Sequence, residues 1–370
     1  MDKIRFGVVG LHRGQGHIKA SKYAPHMEVT AVADLDLELA KKVAQDNAIP
    51  NCYGSLDELL EKDDCDAVIL ATPIPDHADH VLKVLAAGKH VLSEVTCATK
   101  MEDLDRIAAA VRATDKKYML AENYVWIRAW TIVRNMVKAG LLGEIYYAES
   151  DYLMDFQLRP GFPKIAQPWR EEVYFGRQGH PYITHTLGPL AYLMDEKITK
   201  VTAMSAGRQY DLPADNTVSL MMKTERDHMI VLRNQFIGSR PDSYTYYSIQ
   251  GTKGAYVAPQ GPTDFHKIHI KGLCKPNEWK NLFDFAAFLP DEWKMFDNTD
   301  VTFDDTKDDG TSMYDSGCAL MDDEFALCIL KGTEPPISLD AALNWTAAGL
   351  LSEQSVNSGS QPVDVPLYNK

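Results

Sequence analysis

The stretch IRFGVVGLHRGQGH, residues 4–17, decides the fold. Ile4 to Val9 is a short apolar run of strand length, and glycines follow it at Gly10, Gly14 and Gly16. A strand that runs through a glycine turn into a helix brings backbone N–H groups and the helix N-terminus to a diphosphate. Gly10, His12, Arg13 and Gly14 are therefore candidate dinucleotide ligands. A strict Gly-x-Gly-x-x-Gly from Gly10 would need glycine where His12 and Gln15 stand, so a longer or differently shaped turn is expected. A glycine turn that holds no nucleotide is the competing reading.

Outward from that turn, short β-branched runs alternate with helical patterns through the first 125 residues. Strands are expected at Ile4 to Val9, Val29 to Ala33, Ala67 to Ala71, His90 to Ser93 and Tyr118 to Ala121. Helices are expected between them, at Leu37 to Asn47, Ser55 to Glu61, His77 to Ala87 and Lys100 to Ala113. This grammar predicts an α/β Rossmann domain with a parallel sheet over residues 1–125. Asp34 follows the second strand, where a carboxylate accepts both ribose hydroxyls and repels a 2′-phosphate, which favours NAD over NADP. Its alternative role is a helix cap. The loops Thr72-Pro73-Ile74-Pro75-Asp76-His77 and Glu94-Val95-Thr96 leave the carboxyl ends of parallel strands, the ligand side of such a sheet. Thr72, Pro73 and His77 join the cofactor candidates, and Glu94 is the acid expected nearest the nicotinamide, or else a cap for the helix near Lys100.

Beyond Glu122 the strands lengthen and alternate: Ile145 to Tyr152, Val201 to Ala206, Thr217 to Lys223, His228 to Phe236 and Tyr246 to Gln250. They predict an α+β domain with an open, mostly antiparallel sheet over residues 126–370. Residues 259–309, rich in Pro, Asp, Lys and aromatics without a period, read as long surface excursions, and two helices close the chain, Ala319 to Lys331 and Leu339 to Ser355.

The chemistry-bearing stretch of this second domain is Gly179-His-Pro-Tyr182-Ile-Thr-His185-Thr-Leu-Gly-Pro189, preceded by Trp169-Arg170. On a helix from Tyr182 to Met194, Tyr182 and His185 would share a face and form an acid/base pair. Taken alone, His185 reads first as a satisfied core histidine; Arg170, Arg177 and His180 beside it shift the reading to a site.

Composition excludes other classes. A net charge of -14 leaves no basic surplus for a nucleic acid. No stretch suits a secretory signal or a membrane span, so a cytoplasmic location and no membrane partner are expected. Six scattered cysteines without a Cys-x-x-Cys pair read as reduced thiols. Neither the histidine spacing nor the acidic run from Asp300 to Asp309 reads as a metal site.

Phe6-Gly-Val-Val-Gly10, Ala33-Asp34, Ala71-Thr-Pro-Ile-Pro-Asp-His77, Gly88-Lys-His-Val-Leu-Ser-Glu94 and Gly143-Glu-Ile145 resemble the Gfo/Idh/MocA oxidoreductases over essentially the whole length. The resemblance implies NAD chemistry on a sugar or related polyol, and a homodimer or homotetramer. The family's Glu-Lys-Pro reads Glu94-Val95-Thr96 here, and its Asp-x-Gly-x-His reads His185-Thr-Leu-Gly-Pro189, so the usual lysine and histidine are absent. Arg13-Gly14, Glu94-Val95, Glu122-Asn123-Tyr124, Trp169-Arg170 and Tyr182-Ile-Thr-His185 instead resemble the branch that contains glycoside hydrolase family 109.

That likeness adds Asn123 to the cofactor candidates and implies that Glu94, Tyr124, Trp169, Arg170 and His180 line the substrate, with Tyr182 and His185 catalytic. The expected activity is NAD-dependent hydride transfer at C3 of a sugar or glycoside. The alternatives are a glycosidase or lyase that passes through transient C3 oxidation, and an NAD- and sugar-binding sensor without turnover.

Overall fold

The structure is a computed structural model that describes residues 2–153, 169, 177–207, 217–236, 243–261, 263–291 and 313–368. Apolar runs form β1 (Ile4–Val9), β2 (Met27–Ala33), β4 (Ala67–Leu70), β5 (His90–Ser93) and β6 (Tyr118–Leu120), with a half-buried β3 (Asn51–Tyr53) between β2 and β4. All pair in parallel, in the order β3-β2-β1-β4-β5-β6. Phe6, Val8, Val32, Val68, Ile69, Val91 and Leu92 are wholly buried, as a sheet covered on both faces requires. The strand order turns back between β1 and β4, which makes the carboxyl ends there the natural ligand crevice.

Helices α1 (Leu11–Ala20), α2 (Leu37–Asp46), α3 (Leu56–Leu60), α4 (His77–Ala86) and α5 (Met101–Arg112) connect the strands. The ends of α2 to α5 lie within a residue or two of the sequence expectation. The Asp36 side chain accepts from the Glu38 and Leu39 N–H groups to cap α2, and Ser55 caps α3.

The second sheet has nine strands, in the order β14-β13-β12-β11-β7-β10-β9-β8-β15. These are β7 (Ile145–Leu153), β8 (Ile198–Ser205), β9 (Thr217–Thr224), β10 (Met229–Gln235), β11 (Ser243–Gly251), β12 (Gly254–Val257), β13 (Lys267–Ile270), β14 (Lys280–Asn281) and β15 (Val363–Asp364). Neighbours are antiparallel except β10 with β7. Val218, Leu220 and Met222 of β9 face inward while Ser219, Met221 and Lys223 face out. Helix α7 (Thr184–Met194) lies on the buried face against β7, β10 and β11, and α6 (Arg128–Lys138) precedes β7. The expectation of irregular chain from residue 259 needs correction, because β13 and β14 extend the sheet and Leu282–Phe288 forms a 3₁₀-helix. Strands of four and two residues alternate too briefly to show a period.

The chain divides into two compact units, Met1–Trp126 with Phe296–Leu343, and Ile127–Met295 with Asn344–Lys370. The described residues 313–343 therefore belong to the first unit, whereas the sequence expectation assigns everything after residue 125 to the second. Their helix α8 (Met313–Lys331) packs on α1 and sets Phe325 against Phe6, ring centroids 6.3 Å apart. An apolar helix stripe says that a sheet is covered, not which one. The second division falls inside α9 (Leu339–Asn357).

No helix among the described residues is long and apolar enough to cross a membrane. All six cysteines are unbridged.

Candidate functional site

In the first unit Gly10 is the whole turn between β1 and α1, differently shaped rather than longer, and Gly14 and Gly16 lie inside the helix. Gly10 has φ +89°, and a Cβ there would lie 2.4 Å from the Ala71 carbonyl oxygen. A Cβ on Gly14 would lie 2.6 Å from Val8 Cγ1, so that glycine lets α1 sit close on β1. The two glycines thus bring the helix N-terminus to the end of the sheet. The Asp34 carboxylate accepts the Leu11 N–H at 2.7 Å and the Asp36 N–H at 2.9 Å. Asp36 is the cap of α2, so Asp34 does not serve that alternative role. His12 is exposed on the first turn of α1.

Glu94 does not cap α5, whose N-cap is Lys100. Only 6% exposed, Glu94 accepts from Arg13 Nε at 2.6 Å, His17 Nε2 at 3.1 Å and the Val95 N–H at 3.3 Å. The other ring nitrogen of His17 meets Asp322 at 2.9 Å, and Arg13 Nη2 lies 3.5 Å from Cys318 Sγ. Burial by itself lowers the His17 pKa, but Asp322 and Glu94 together lift it to about 9. The ring is an imidazolium at neutral pH, donating to a carboxylate on each side. The sequence reading missed His17 and Asp322: a histidine on the inward face of a helix and an acid 305 residues away carry no joint signal.

The peptide between Val95 and Thr96 is cis. His77 is wholly buried, with Nδ1 2.7 Å from the Thr96 carbonyl oxygen and Nε2 2.9 Å from that of Thr72. The ring lies between the loops that follow β4 and β5, and its single N–H donates to one of the two carbonyls. Thr72 Oγ1 meets His80 Nδ1 at 2.9 Å, and Pro73 is half-buried beside it. Tyr124 is wholly buried, so in this arrangement its ring packs and offers no surface to a substrate. Asn123 is 2% exposed and its Oδ1 has no partner among the described residues. An orphaned buried acceptor at the end of β6, a glycine turn too tight for a side chain, and Asp34 at the end of β2 together fit a dinucleotide.

In the second unit Tyr182 Oη lies 2.9 Å from His185 Nε2. The pair forms although Tyr182 precedes the helix, which begins at Thr184 and not at Tyr182 as expected. Gly179 turns the chain with φ +73°, and a Cβ there would lie 2.6 Å from the Glu353 N. A Cβ on Gly349 of α9 would lie 2.6 Å from the Pro181 carbonyl oxygen. The His180 N–H donates to Ser352 Oγ at 2.8 Å, Asn234 Nδ2 to the Tyr182 carbonyl at 3.2 Å, and Tyr247 Oη to the His185 carbonyl at 2.6 Å. Four residues that sequence reading missed, Asn234, Tyr247, Gly349 and Ser352, thus seat the pair; each sits on a remote strand or helix.

Tyr152 stacks near His185, centroids 5.6 Å apart. His185 is 6% exposed while Tyr182 is half-buried. A phenol hydrogen-bonded to an imidazole can pass its proton to the ring and act in turn as base and acid. His180, 2% exposed and packed on Phe236 at 4.4 Å, is held neutral by burial, which lowers its pKa to about 3. Its Nε2 has no partner among the described residues. Trp169 is half-buried, and Arg170 lies outside the described residues. Arg177 approaches Glu353 at 3.9 Å.

Residues 4–122 match the family model described as oxidoreductase family, NAD-binding Rossmann fold, and residues 130–257 match the Gfo/Idh/MocA C-terminal domain. The chain belongs to the Gfo/Idh/MocA oxidoreductase family. Within it, residues 208–370 of this Gfo/Idh/MocA protein match the model of the glycosyl hydrolase 109 C-terminal domain. A glycosyl hydrolase family 109 protein of Shewanella putrefaciens is 26% identical over 409 residues, spanning 100% of this chain and 86% of that one. An alpha-N-acetylgalactosaminidase of Shewanella oneidensis is 25% identical with the same two coverages, 100% and 86%. Among solved structures, levoglucosan dehydrogenase complexed with NADH and L-sorbose superposes with TM-score 0.83 at 18% identity, covering 99% of this chain and 100% of that one. The myo-inositol 2-dehydrogenase of Lactobacillus plantarum gives TM-score 0.76 at 14% identity, with coverages of 99% and 100%. These two likenesses establish the fold.

Proposed function

We propose that this protein is an NAD-dependent enzyme that cleaves a glycoside through transient oxidation at sugar C3. The observation that carries the reading is the hydrogen-bonded Tyr182–His185 pair, 2.9 Å apart, in a chain whose family 109 relatives align along its whole length. Gly10, Asp34, Glu94 and Asn123 would hold the cofactor, with His12, Arg13, Gly14, Thr72 and Pro73 around them. Bound there, NAD would supply a reversible hydride acceptor for sugar C3.

Tyr182 and His185 move the protons. One is the C3 hydroxyl proton, released as the C–O bond becomes a carbonyl. The other is the C2 proton, which that carbonyl acidifies, so that a base as weak as an imidazole can remove it. The electrons of the C2–H bond then form a C1–C2 double bond as the glycosidic C1–O bond breaks. The pair protonates the departing oxygen. Water adds at C1 with a proton returning to C2, and reduction at C3 restores the sugar, so the net reaction is hydrolysis. Neutral His180 and half-buried Trp169 are proposed to border the sugar.

The second reading, a glycoside 3-dehydrogenase that stops at the ketone, uses the same pair and differs only in releasing the reduced cofactor. Incubating the purified protein with aryl α- and β-glycosides and no added NAD separates the two. Many equivalents of aglycone per chain support the glycosidase. No aglycone, with NADH accumulating once excess NAD⁺ is supplied, establishes the dehydrogenase instead. A homodimer or homotetramer is proposed for the assembly, supported by Met204, Met221 and Met229, which lie exposed on the outward face of β8 to β10. Sedimentation at the mass of a single chain would exclude it. We propose a cytoplasmic location as well, in keeping with six unbridged cysteines.

A further inference from the structure

Helix α1 carries a wholly buried histidine where an apolar residue would ordinarily pack against its neighbour. His17 sits between two carboxylates, Asp322 at 2.9 Å on α8 and Glu94 at 3.1 Å after β5, and Arg13 closes the array on Glu94 at 2.6 Å. Such an array is expensive. Burying His17 and Asp322 out of water as ions costs several kcal/mol each, an outlay that hydrophobic side chains of the same volume would avoid, whereas Arg13 stays part-exposed. Burial pushes the Asp322 carboxyl pKa up, against the pull of His17 and Arg13 beside it. The member that stands on the ligand side of the sheet is Glu94, because its loop leaves the carboxyl end of β5.

We propose that His17 and Asp322 are positioning residues for Glu94: α1 and α8 between them hold its carboxylate in one place, and thereby set the affinity for NAD. The inference rests on the reading of the first unit as an NAD site and deepens it. Both Glu94 oxygens are engaged, Oε1 by Arg13 and His17 and Oε2 by the Val95 N–H. The far end of the chain of bonds is fixed in turn, since Asp322 is wholly buried on a helix 19 residues long.

The same helix also backs the other cofactor candidate at the sheet end, for a Cβ on Gly317 would lie 2.9 Å from the Asn123 carbonyl oxygen. Helix α8, remote in sequence from the glycine turn, therefore supports both Glu94 and Asn123. The groups that face the His17 ring are Asp322 from α8 and Glu94 from the β5 loop, with Arg13 of α1 and Cys318 of α8 next to Glu94 and Arg13 respectively. The two carboxylates hold the ring charged up to about pH 9.

The test is calorimetric titration of NAD⁺ into the full chain at several pH values between about 6 and 8.5, the range in which an ordinary histidine changes charge. Wild type, His17→Gln and Asp322→Asn are compared, with thermal unfolding of each measured alongside. Wild type is expected to bind with one affinity throughout, because its ring stays charged. Asp322→Asn loses the stronger of the two partners, so its ring titrates inside the window and its affinity varies with pH. His17→Gln is expected to bind about tenfold more weakly and without pH dependence, the loss of one charged hydrogen bond to Glu94.

Variants that bind like wild type at every pH overturn the inference, as do variants that melt earlier yet keep wild-type affinity and a flat profile. Where neither variant folds, the wild-type ring itself decides. A His17 imidazole that is doubly protonated by NMR at about pH 7.5, and whose resonances move on adding NAD⁺, supports the proposal; a neutral ring, or one indifferent to NAD⁺, overturns it. A wild type that binds no NAD⁺ at all overturns the cofactor reading itself, and shows this before any variant is made.

Discussion

At the scale of single residues, the two units assign separable tasks. Tyr182→Phe keeps the ring and its packing near Tyr152 but removes the hydroxyl that meets His185. It is expected to lower kcat by about 10²- to 10⁴-fold, the usual worth of a positioned acid or base. NAD⁺ affinity should stay as in wild type, because the pair belongs to the second unit; equal losses in binding and turnover would count against the role given to Tyr182. Asp34 supplies the opposite case. Asp34→Ala leaves the Leu11 N–H without its acceptor and removes the negative charge at the end of β2. The ratio of NADP⁺ to NAD⁺ affinity is expected to rise by about tenfold or more. An unchanged ratio, measured by titration of both nucleotides, would show that Asp34 has only a structural part at the turn.

At the scale of elements, close approach of backbones is what the glycines make possible, and it can be tested without touching chemistry. Gly349→Ala would push α9 against the Pro181 carbonyl, 2.6 Å from the new Cβ, and displace the segment that carries Tyr182. Turnover of an aryl glycoside should fall while NAD⁺ affinity holds. Gly10→Ala, at φ +89° and 2.4 Å from the Ala71 carbonyl, should weaken NAD⁺ binding instead. A common loss of both activities in both variants would mean that they fail to fold.

These contacts also show why some elements were legible in the sequence and others were not. The parallel ladder announced itself because buried strands are continuous apolar runs, whereas β3, β13 and β14 are too short to carry a period. Tyr182 and His185 were visible as near neighbours in sequence. Asn234, Tyr247, His17 and Asp322 act across 48 residues or more, and a lone polar residue on an apolar face looks the same whether or not a partner awaits it.

At the scale of the whole molecule, two buried histidines are shifted in opposite directions, one in each unit. His17 has a folded pKa of about 9, above its ordinary 6.5. Its contribution to stability is complete below about pH 6.5 and is lost as pH rises through about 9, an effect on the order of 3 kcal/mol. His180 is depressed to about 3, so its contribution is complete above about pH 6.5 and is lost as pH falls toward 3, on the order of 5 kcal/mol.

His77, His80 and His90 of the first unit are also lowered by burial and deepen the acid limb, while the raised thiols Cys65, Cys318 and Cys328 act only above about pH 9. Stability against urea is therefore expected to peak near pH 6.5 and to decline on both sides. The decline between about pH 6.5 and 9 belongs to His17 and hence to the first unit. Urea midpoints measured across this range should fall in wild type and stay level in His17→Gln, whereas His180→Asn should keep the alkaline decline and soften the acid one. A wild-type midpoint that stays constant from pH 6.5 to 9 would mean that His17 is not held as an imidazolium between its two carboxylates.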